Sequence, residues 1–321
     1  MIPYEQCSGV SQNKVGHNRG TSTDCVTSKM ERAPKVNVSH DEKQRRTTVA
    51  AKWSIKNWLI LINERAPPIV YLLLAAGACL SGLQLFQDRV APWELSWGIV
   101  GQLPLLFLIR LMDEVKDFEK DKVVHPERPL PRGLIEYSEV VSVIHAISGA
   151  LVLYSLMLAA VFGPAVGVAY FLQVFYVLLM YVEFGIGEWL DQFPVLYGIT
   201  HQAVIYLGVS FVAALCGVHW SLRVLMTGSV AFSGFFTYEL KGTYLVVCGK
   251  WKTFAVTVVT VAVGAVSSYV TGLHWLLWPM EAILLLSLLA LFLLPIDKTM
   301  KKAHKPVELL SVLYLLLHLW R

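Results

Sequence analysis

The chain has 321 residues, of which 55% are hydrophobic and only 16% are charged, and its mean hydropathy is +0.56. Soluble domains average about 25% charged residues, so this composition excludes an ordinary soluble globule. The apolar residues are too many and too continuous for intrinsic disorder over most of the length. The net charge of +4 is small, and the 5 cysteines lack CxxC or regular spacing, which argues against a disulfide framework or a zinc site.

The first 52 residues differ in composition from the rest of the chain. They are rich in Ser, Thr, Asn, Lys and Arg and contain no long apolar run. Residues 1–52 are therefore predicted to form a disordered cytosolic tail, and they show no h-region of a signal peptide. Residues 53–321 are predicted to form a transmembrane domain. It begins with an amphipathic helix at the membrane surface, anchored by Trp53 and Trp58.

Apolar blocks follow one another along this second region. A helix that spans a bilayer needs about 20 residues, and most of the blocks have that length. The blocks lie at 67–87, 94–112, 138–161, 163–181, 195–217, 222–237, 253–271, 275–294 and 307–320. The predicted fold class is all-α: a polytopic membrane helical bundle of about nine transmembrane helices with a cytosol-facing cap.

The basic residues of the connecting segments indicate the orientation. Lys and Arg are concentrated in residues 113–137, 238–252 and 295–306, which are therefore predicted to be cytosolic, together with the N-terminus. Residues 182–194 fall on the same predicted side and carry Glu183, Glu188 and Asp191 without a base. A solvated cap is predicted there, and a metal-ligand role for one of these acids is the alternative. Because no signal or transit features are visible, the endoplasmic reticulum membrane is the expected location.

The most informative stretch follows the second apolar block. Four acidic residues recur there at i, i+1, i+4 and i+8: Asp113, Glu114, Asp117 and Asp121. On a helix most of them form one stripe, where like charges repel one another unless a cation lies among them. Mg²⁺ is commonly held by a few carboxylates and bridged to substrate phosphates. Three basic residues follow the acids: Lys122, Arg128 and Arg132. The stretch predicts a magnesium–diphosphate site at the membrane edge, and a solvated loop of surface ion pairs is the alternative.

This stretch resembles the first aspartate-rich motif of the UbiA superfamily of intramembrane prenyltransferases, NDxxDxxxD followed by an RPL-type turn. Residues 113–133 read DExxDxxxDxxxHPxRPLPxG. The resemblance extends over residues 53–321 and implies a cytosol-facing Mg²⁺ site for an isoprenyl diphosphate, above a lateral hydrophobic chamber. It implies that all four acids bind the metal and that Lys122 and Arg128 hold the diphosphate. Asn63 and Arg65 could also reach the diphosphate, or anchor the chain at the interface.

The second acidic motif of that superfamily is largely missing. A DxxxD pattern is expected near the end of the sixth helix, where residues 235–244 contain only Glu239 and Lys241 as charged residues. Glu239 is a candidate metal ligand, and Lys241 could neutralise phosphate. The alternative is an exposed pair between the two, which is worth under ~1 kcal/mol.

The implied chemistry is ionisation of an allylic diphosphate, in which magnesium and basic side chains stabilise the leaving diphosphate. The residues expected to be catalytic are Asp113, Asp117, Asp121 and Glu239. An enzyme with a separate acceptor is expected to keep both acidic motifs. The chain resembles instead the divergent branch that includes the membrane-bound β-trans-bergamotene (sesquiterpene) cyclases. That resemblance implies a terpene cyclase, a lyase of secondary metabolism, which converts farnesyl diphosphate into a cyclic sesquiterpene plus diphosphate.

Two other functions stay open at this point. A UbiA-type prenyltransferase would use the same metal site to transfer a prenyl group to an aromatic or quinone-precursor acceptor. A transporter or scaffold is less favoured, because few ionisable groups lie inside the apolar blocks: His145, His201 and Glu281. The expected partners are an isoprenyl diphosphate, the lipid bilayer and candidate downstream pathway enzymes, and no nucleic acid. Prenyl chain length, product skeleton, stereochemistry and oligomeric state are not fixed by the sequence.

Overall fold

The computed structural model describes residues 53–239 and 245–292, and every regular element in these ranges is helical. The described residues from Lys56 onward belong to one compact unit, which forms the helical bundle. The predicted tail, residues 1–52, and the last predicted span, residues 307–320, lie outside the described residues.

The described residues form twelve α-helices, which are numbered here in chain order. They are α1 Ile55–Arg65, α2 Pro68–Phe86, α3 Pro92–Lys116, α4 Phe118–Val124, α5 Tyr137–Phe162, α6 Pro164–Tyr181, α7 Gly187–Leu190, α8 Pro194–Gln202, α9 Val204–Leu215, α10 Leu222–Glu239, α11 Leu245–Thr271 and α12 His274–Phe292. Proline stands in the first turn of α2, α3, α6 and α8, where its missing N–H has no partner to lose.

Six helical segments are long and apolar enough to cross a membrane: α2, α3, α5, α6, the segment Pro194–Leu215 that comprises α8 and α9, and Cys248–Thr271 of α11. The predicted all-α membrane bundle is confirmed at this level, and the chain fits an integral membrane protein. The predicted count of about nine spans is not confirmed by the described residues.

The helix α3 lies at the centre of the first part of the bundle, in contact with α2, α5, α6 and α9. Its buried leucines Leu105, Leu108 and Leu111 belong to the main hydrophobic core. Within that core, Gln102 of α3 and Gln173 of α6 exchange two hydrogen bonds of 2.8 and 3.1 Å. Because each buried amide satisfies the other, the pair fixes how α3 and α6 pack without leaving a costly unpaired polar group.

The second part of the bundle is formed by α8, α10, α11 and α12. The helix α10 packs against α8, α9 and α11. Phe236, in the last turn of α10, is 1% exposed and packs with Val195 at the start of α8 and Cys248 near the start of α11. The end of α10 therefore meets the beginnings of α8 and α11.

The acidic stretch after the second apolar block and the turn after α6 lie together at one end of the bundle. The rings of Phe118 and Tyr137 lie 5.2 Å apart, which brings α4 beside the start of α5. Lys116, at the end of α3, forms an ion pair with Glu183 in the turn after α6. We call this end, formed by residues 113–137, 182–197 and the last turn of α10, the acidic end.

Trp58 differs from its predicted role as an interfacial anchor. It is only 8% exposed and belongs to the main core. Its indole Nε1 donates a hydrogen bond to Oε1 of Glu139 at the start of α5. The prediction is wrong for this residue, because an apolar face of α1 packs against the bundle and the indole N–H finds a protein partner there.

Candidate functional site at the acidic end

The predicted acidic stripe spans the junction between α3 and α4. The backbone N–H of Asp117 donates to the carbonyl of Asp113 at 2.9 Å, and the N–H of Asp121 donates to the carbonyl of Asp117 at 2.7 Å. The helical spacing thus continues through the junction. The side chains nevertheless divide into two groups, because Asp113 and Asp117 are exposed whereas Glu114 and Asp121 are each 2% exposed.

Glu114 is engaged by two arginines from different helices. Its Oε1 accepts hydrogen bonds from Nε of Arg65 at 2.6 Å and from Nη2 of Arg110 at 2.5 Å. Its other oxygen, Oε2, is buried without a hydrogen-bond partner among the described residues. Glu114 is therefore the shared counter-ion of two guanidinium groups.

Asp121 forms a buried ion pair within the loop that follows it. Its Oδ2 accepts a hydrogen bond from Nη1 of Arg128, one of the residues predicted to hold the diphosphate. The following residues, Pro129 and Leu130, are buried, and Gly133 adopts the left-handed φ of 75° that the next turn requires. The proline-rich turn thus holds Arg128 against Asp121.

Asp113 and Asp117 keep their carboxylates available. Within residues 53–239 and 245–292, neither carboxylate forms a hydrogen bond or an ion pair. Asp117 follows Asp113 by one helical turn, with its N–H bonded to the Asp113 carbonyl at 2.9 Å, so the two acids lie on the same face. The structure therefore presents two of the four predicted ligands as free carboxylates and places the other two against arginines.

This donor set fits a particular kind of metal site. Over the described part of the chain, no group of three or more His, Cys, Asp and Glu side chains could hold a metal by itself. Mg²⁺, however, is usually bound by one or two carboxylates together with substrate phosphates and water. Asp113 and Asp117 meet that requirement, since both are hard oxygen donors and neither pairs with another side chain in the described ranges.

The other predicted substrate-binding residues have partners or lie apart. Lys122 pairs with Glu119 at 2.7 Å and lies 4.1 Å from the Phe118 ring centroid. Arg132 pairs with Glu64 of α1 at 3.0 Å. Asn63 is exposed and has no side-chain hydrogen bond among the described residues. Of these, Arg132 helps to attach α1 to the loop, whereas Lys122 is a surface residue.

Glu127 lies on the exposed side of the same loop. A hydrogen bond from its own backbone, together with the neighbouring His125, lowers the pKa of its carboxyl. The two side chains approach to 3.3 Å. His125 thus has a local structural partner within the proline-rich turn.

A network centred on Lys116 was not predicted from the sequence. Its Nζ lies 2.9 Å from Oε1 of Glu183 and 3.3 Å from the hydroxyl of Tyr197, and that hydroxyl lies 3.4 Å from the same Glu183 oxygen. Glu183 therefore differs from a purely solvated cap residue, whereas Glu188 and Asp191 are exposed as predicted. The only sequence signal was an acid in a segment without bases.

The turn that carries Glu183 is tightly built. Glu183 and Phe184 have left-handed φ angles of 50° and 56°, which are uncommon outside glycine and are held by surrounding contacts. The Phe184 ring lies 5.4 Å from that of Tyr176 and 5.8 Å from that of His201. A Cβ on Gly187 would lie 1.9 Å from Oε2 of Glu183, so glycine is needed for this side-chain position.

The second predicted motif reaches the same end of the bundle. Glu239 is the last residue of α10. Phe236 in that turn packs with Val195 of α8, two residues before Tyr197 in the same helix. The backbone of Glu239 is thereby brought to the acidic end. Lys241 lies outside the described residues, and the metal-binding role of Glu239 stays a prediction.

No protein-family model, curated protein or solved structure matches the chain.

Proposed function

We propose that the protein is a membrane-bound, Mg²⁺-dependent terpene cyclase of the UbiA type. Its proposed substrate is an isoprenyl diphosphate, with farnesyl diphosphate favoured, and its products are a cyclic sesquiterpene and diphosphate. The observation that carries the proposal is the pair of carboxylates on Asp113 and Asp117, which lie at the end of an apolar helix and form no hydrogen bond or ion pair with the described residues. Such a site would place metal ligands at the end of a helix that is long and apolar enough to span a membrane.

Asp113 and Asp117 would hold the magnesium, and Glu239 is a candidate third carboxylate from α10. When bound, magnesium supplies positive charge to the oxygens of the leaving diphosphate. The residues of the chain would bind the substrate headgroup, orient its C–O bond toward the apolar bundle and exclude water. Heterolysis of that bond leaves its electron pair on the diphosphate and an allylic cation on the prenyl chain.

Basic residues flank Asp113 along the chain. Arg110 and Lys116 stand three residues before and after it in α3, and Arg128 lies in the loop that continues the acidic stripe. Positive side chains at this position favour a diphosphate over a neutral headgroup, because they stabilise negative charge where it accumulates. A loop of surface ion pairs would not require the buried Glu114 and Asp121 that hold two of these arginines.

The fate of the cation distinguishes a cyclase from a prenyltransferase. Aromatic faces stabilise cations, and Tyr176, Phe184 and Tyr197 are grouped beside Lys116 at the acidic end. Cyclisation followed by loss of one proton yields a neutral hydrocarbon without an acceptor. Transfer to an aromatic or quinone-precursor acceptor would use the same ionisation step.

The decisive experiment incubates membranes containing the full chain with farnesyl diphosphate and Mg²⁺, without an acceptor. A cyclic hydrocarbon detected by gas chromatography, with stoichiometric diphosphate, is the expected result. Turnover only after an aromatic acceptor is added would identify a prenyltransferase instead. No Mg²⁺-dependent consumption of any isoprenyl diphosphate, with or without acceptor, would reject both.

We propose that the complete domain has about nine spans and that the acidic end, like the N-terminus, faces the cytosol, where the loops rich in Lys and Arg belong. The endoplasmic reticulum is the proposed membrane. Protease protection of tags in the loop of residues 182–193, in sealed microsomes, tests the orientation.

A further inference from the structure

Two arginines share one buried carboxylate at the acidic end. Arg65 of α1 uses Nε and Arg110 of α3 uses Nη2 to donate to the same oxygen of Glu114, at 2.6 and 2.5 Å. The Glu114 side chain is 1% exposed, whereas those of Arg65 and Arg110 are 18% and 24% exposed. One buried carboxylate therefore accepts hydrogen bonds from two guanidiniums.

Both guanidiniums keep donors that Glu114 does not use. Among the described residues, Nη1 and Nη2 of Arg65 and Nη1 of Arg110 form no hydrogen bond, and Nε of Arg110 is buried without a partner. A guanidinium fork matches the oxygens of a phosphate group, and a buried donor is costly until a ligand satisfies it. The arginine pair thus has the free donors that a phosphate-bearing anion requires.

The position of Glu114 disfavours a metal-binding role. Its Oε1 already accepts two charge-assisted hydrogen bonds, and a divalent cation there would be repelled by two adjacent guanidiniums. Mg²⁺ also retains several waters, which favours the exposed carboxylates of Asp113 and Asp117 over a carboxylate that is 1% exposed.

We propose that Glu114 is a positioning residue that holds Arg65 and Arg110 together as a binding site for the diphosphate group, and that it does not bind the metal. The inference rests on the proposed function for the identity of the substrate. The capture of a diphosphate anion by the two arginines can nevertheless be measured without any turnover.

The first test is metal-free binding of inorganic pyrophosphate to the full chain in detergent, measured by isothermal titration calorimetry with EDTA present. Arg65→Gln and Arg110→Gln should each weaken binding about tenfold or more, because each removes a charged donor. The matched control is Arg223→Gln at the start of α10, where the guanidinium donates to the carbonyl of Leu85. Pyrophosphate affinity that is unchanged in both Arg65→Gln and Arg110→Gln would overturn the proposed site.

The second test separates positioning from metal binding. At pyrophosphate concentrations that saturate each variant, Mn²⁺ binding is followed by electron paramagnetic resonance. Asp113→Asn and Asp117→Asn should weaken Mn²⁺ binding, and Glu114→Gln should leave it unchanged. An equal loss of Mn²⁺ affinity in Glu114→Gln would make Glu114 a ligand and overturn the inference.

A charge-balanced variant keeps this test informative where Glu114→Gln does not fold. Arg110→Gln combined with Glu114→Gln removes one charge of each sign and should retain Mn²⁺ binding, with weakened pyrophosphate binding. Arginine-dependent pyrophosphate binding in a protein that releases no product from farnesyl diphosphate would reject the proposed function and keep this role of Glu114. Product release from farnesyl diphosphate together with arginine-independent pyrophosphate binding would support the proposed function and reject this role of Glu114.

Discussion

The ammonium of Lys116 lies 2.9 Å from Oε1 of Glu183, and this ion pair joins the end of α3 to the turn after α6. The side chains are 22% and 30% exposed, so the pair is partly shielded from solvent. Tyr197 of α8 contacts both partners through its hydroxyl. The contact therefore ties three elements together directly beside the carboxylates of Asp113 and Asp117.

Breaking this ion pair should loosen the turn. Lys116→Met or Glu183→Gln leaves one partly buried charge without its partner, and we expect a loss of about 1 kcal/mol in the free energy of unfolding. Cleavage within residues 182–193 should become faster. Thermal unfolding and limited proteolysis in detergent measure the two effects.

The control for this prediction is Lys122→Met. Its partner Glu119 is 80% exposed, so this surface pair should change stability by less than about 0.5 kcal/mol. Equal proteolysis rates in Lys116→Met and Lys122→Met would contradict a structural role for the Lys116–Glu183 pair.

Gly187→Ala should speed proteolysis of residues 182–193 as Glu183→Gln does, without changing any charge. The new Cβ would lie 1.9 Å from Oε2 of Glu183, so the carboxylate must shift, and we expect that shift to weaken its ion pair with Lys116. Because both changes break the same contact, Gly187→Ala combined with Glu183→Gln should be no more sensitive to proteolysis than either alone.

Gly149→Ala in α5 is the matched glycine control. A Cβ there meets nothing within 4 Å, and alanine is favoured over glycine inside a helix by about 0.5–1 kcal/mol. We expect unchanged proteolysis of residues 182–193 in this variant. Additive effects in the Gly187–Glu183 double variant would show that the glycine acts through another contact.

The helix positions were predictable because their causes are local. The blocks 138–161 and 163–181 correspond to Tyr137–Phe162 and Pro164–Tyr181, since continuous apolar sequence and a proline in the first turn define them. The block 195–217 instead contains two helices with Ala203 between them. Its apolar composition continues across that residue and carries no signal for the interruption.

The acidic site was predictable only in part. The spacing of Asp113, Asp117 and Asp121 correctly indicates a continuing helical repeat, because it depends on neighbours in the chain. Two hydrogen-bond partners at the site are distant in the sequence. Arg65 lies 49 residues from Glu114, and Tyr197 lies 81 residues from Lys116. These tertiary contacts determine which of the four carboxylates remain unpaired, so the sequence alone does not distinguish the paired acids from the unpaired ones.

The two available carboxylates should matter for turnover and little for folding. Asp113→Asn and Asp117→Asn remove charges that have no ion-pair partner among the described residues, so stability should change by less than about 0.5 kcal/mol. We expect the rate of product formation from farnesyl diphosphate to fall by about 10²–10³, as for the loss of a group that stabilises developing charge. Gas chromatography of the product measures the rate.

Asp121→Asn provides the contrast. This change leaves Arg128 without its buried counter-ion, and we expect a stability loss of about 1–3 kcal/mol. Chelation by EDTA should abolish turnover by every folded variant and should be reversed by Mg²⁺. Full activity in both Asp113→Asn and Asp117→Asn would exclude this metal site.

The buried amide pair of α3 and α6 tests the bundle independently of any activity. Gln102→Leu or Gln173→Leu leaves the other amide buried without its partner, and each single change should cost about 1–3 kcal/mol. The double leucine variant removes both polar groups and should recover most of that loss, because two apolar side chains suit the surrounding core. Unfolding of the four proteins in detergent gives the coupling energy between the two sites. Additive losses in the double variant would mean that the amides do not satisfy each other, and that α3 and α6 pack differently from the arrangement described.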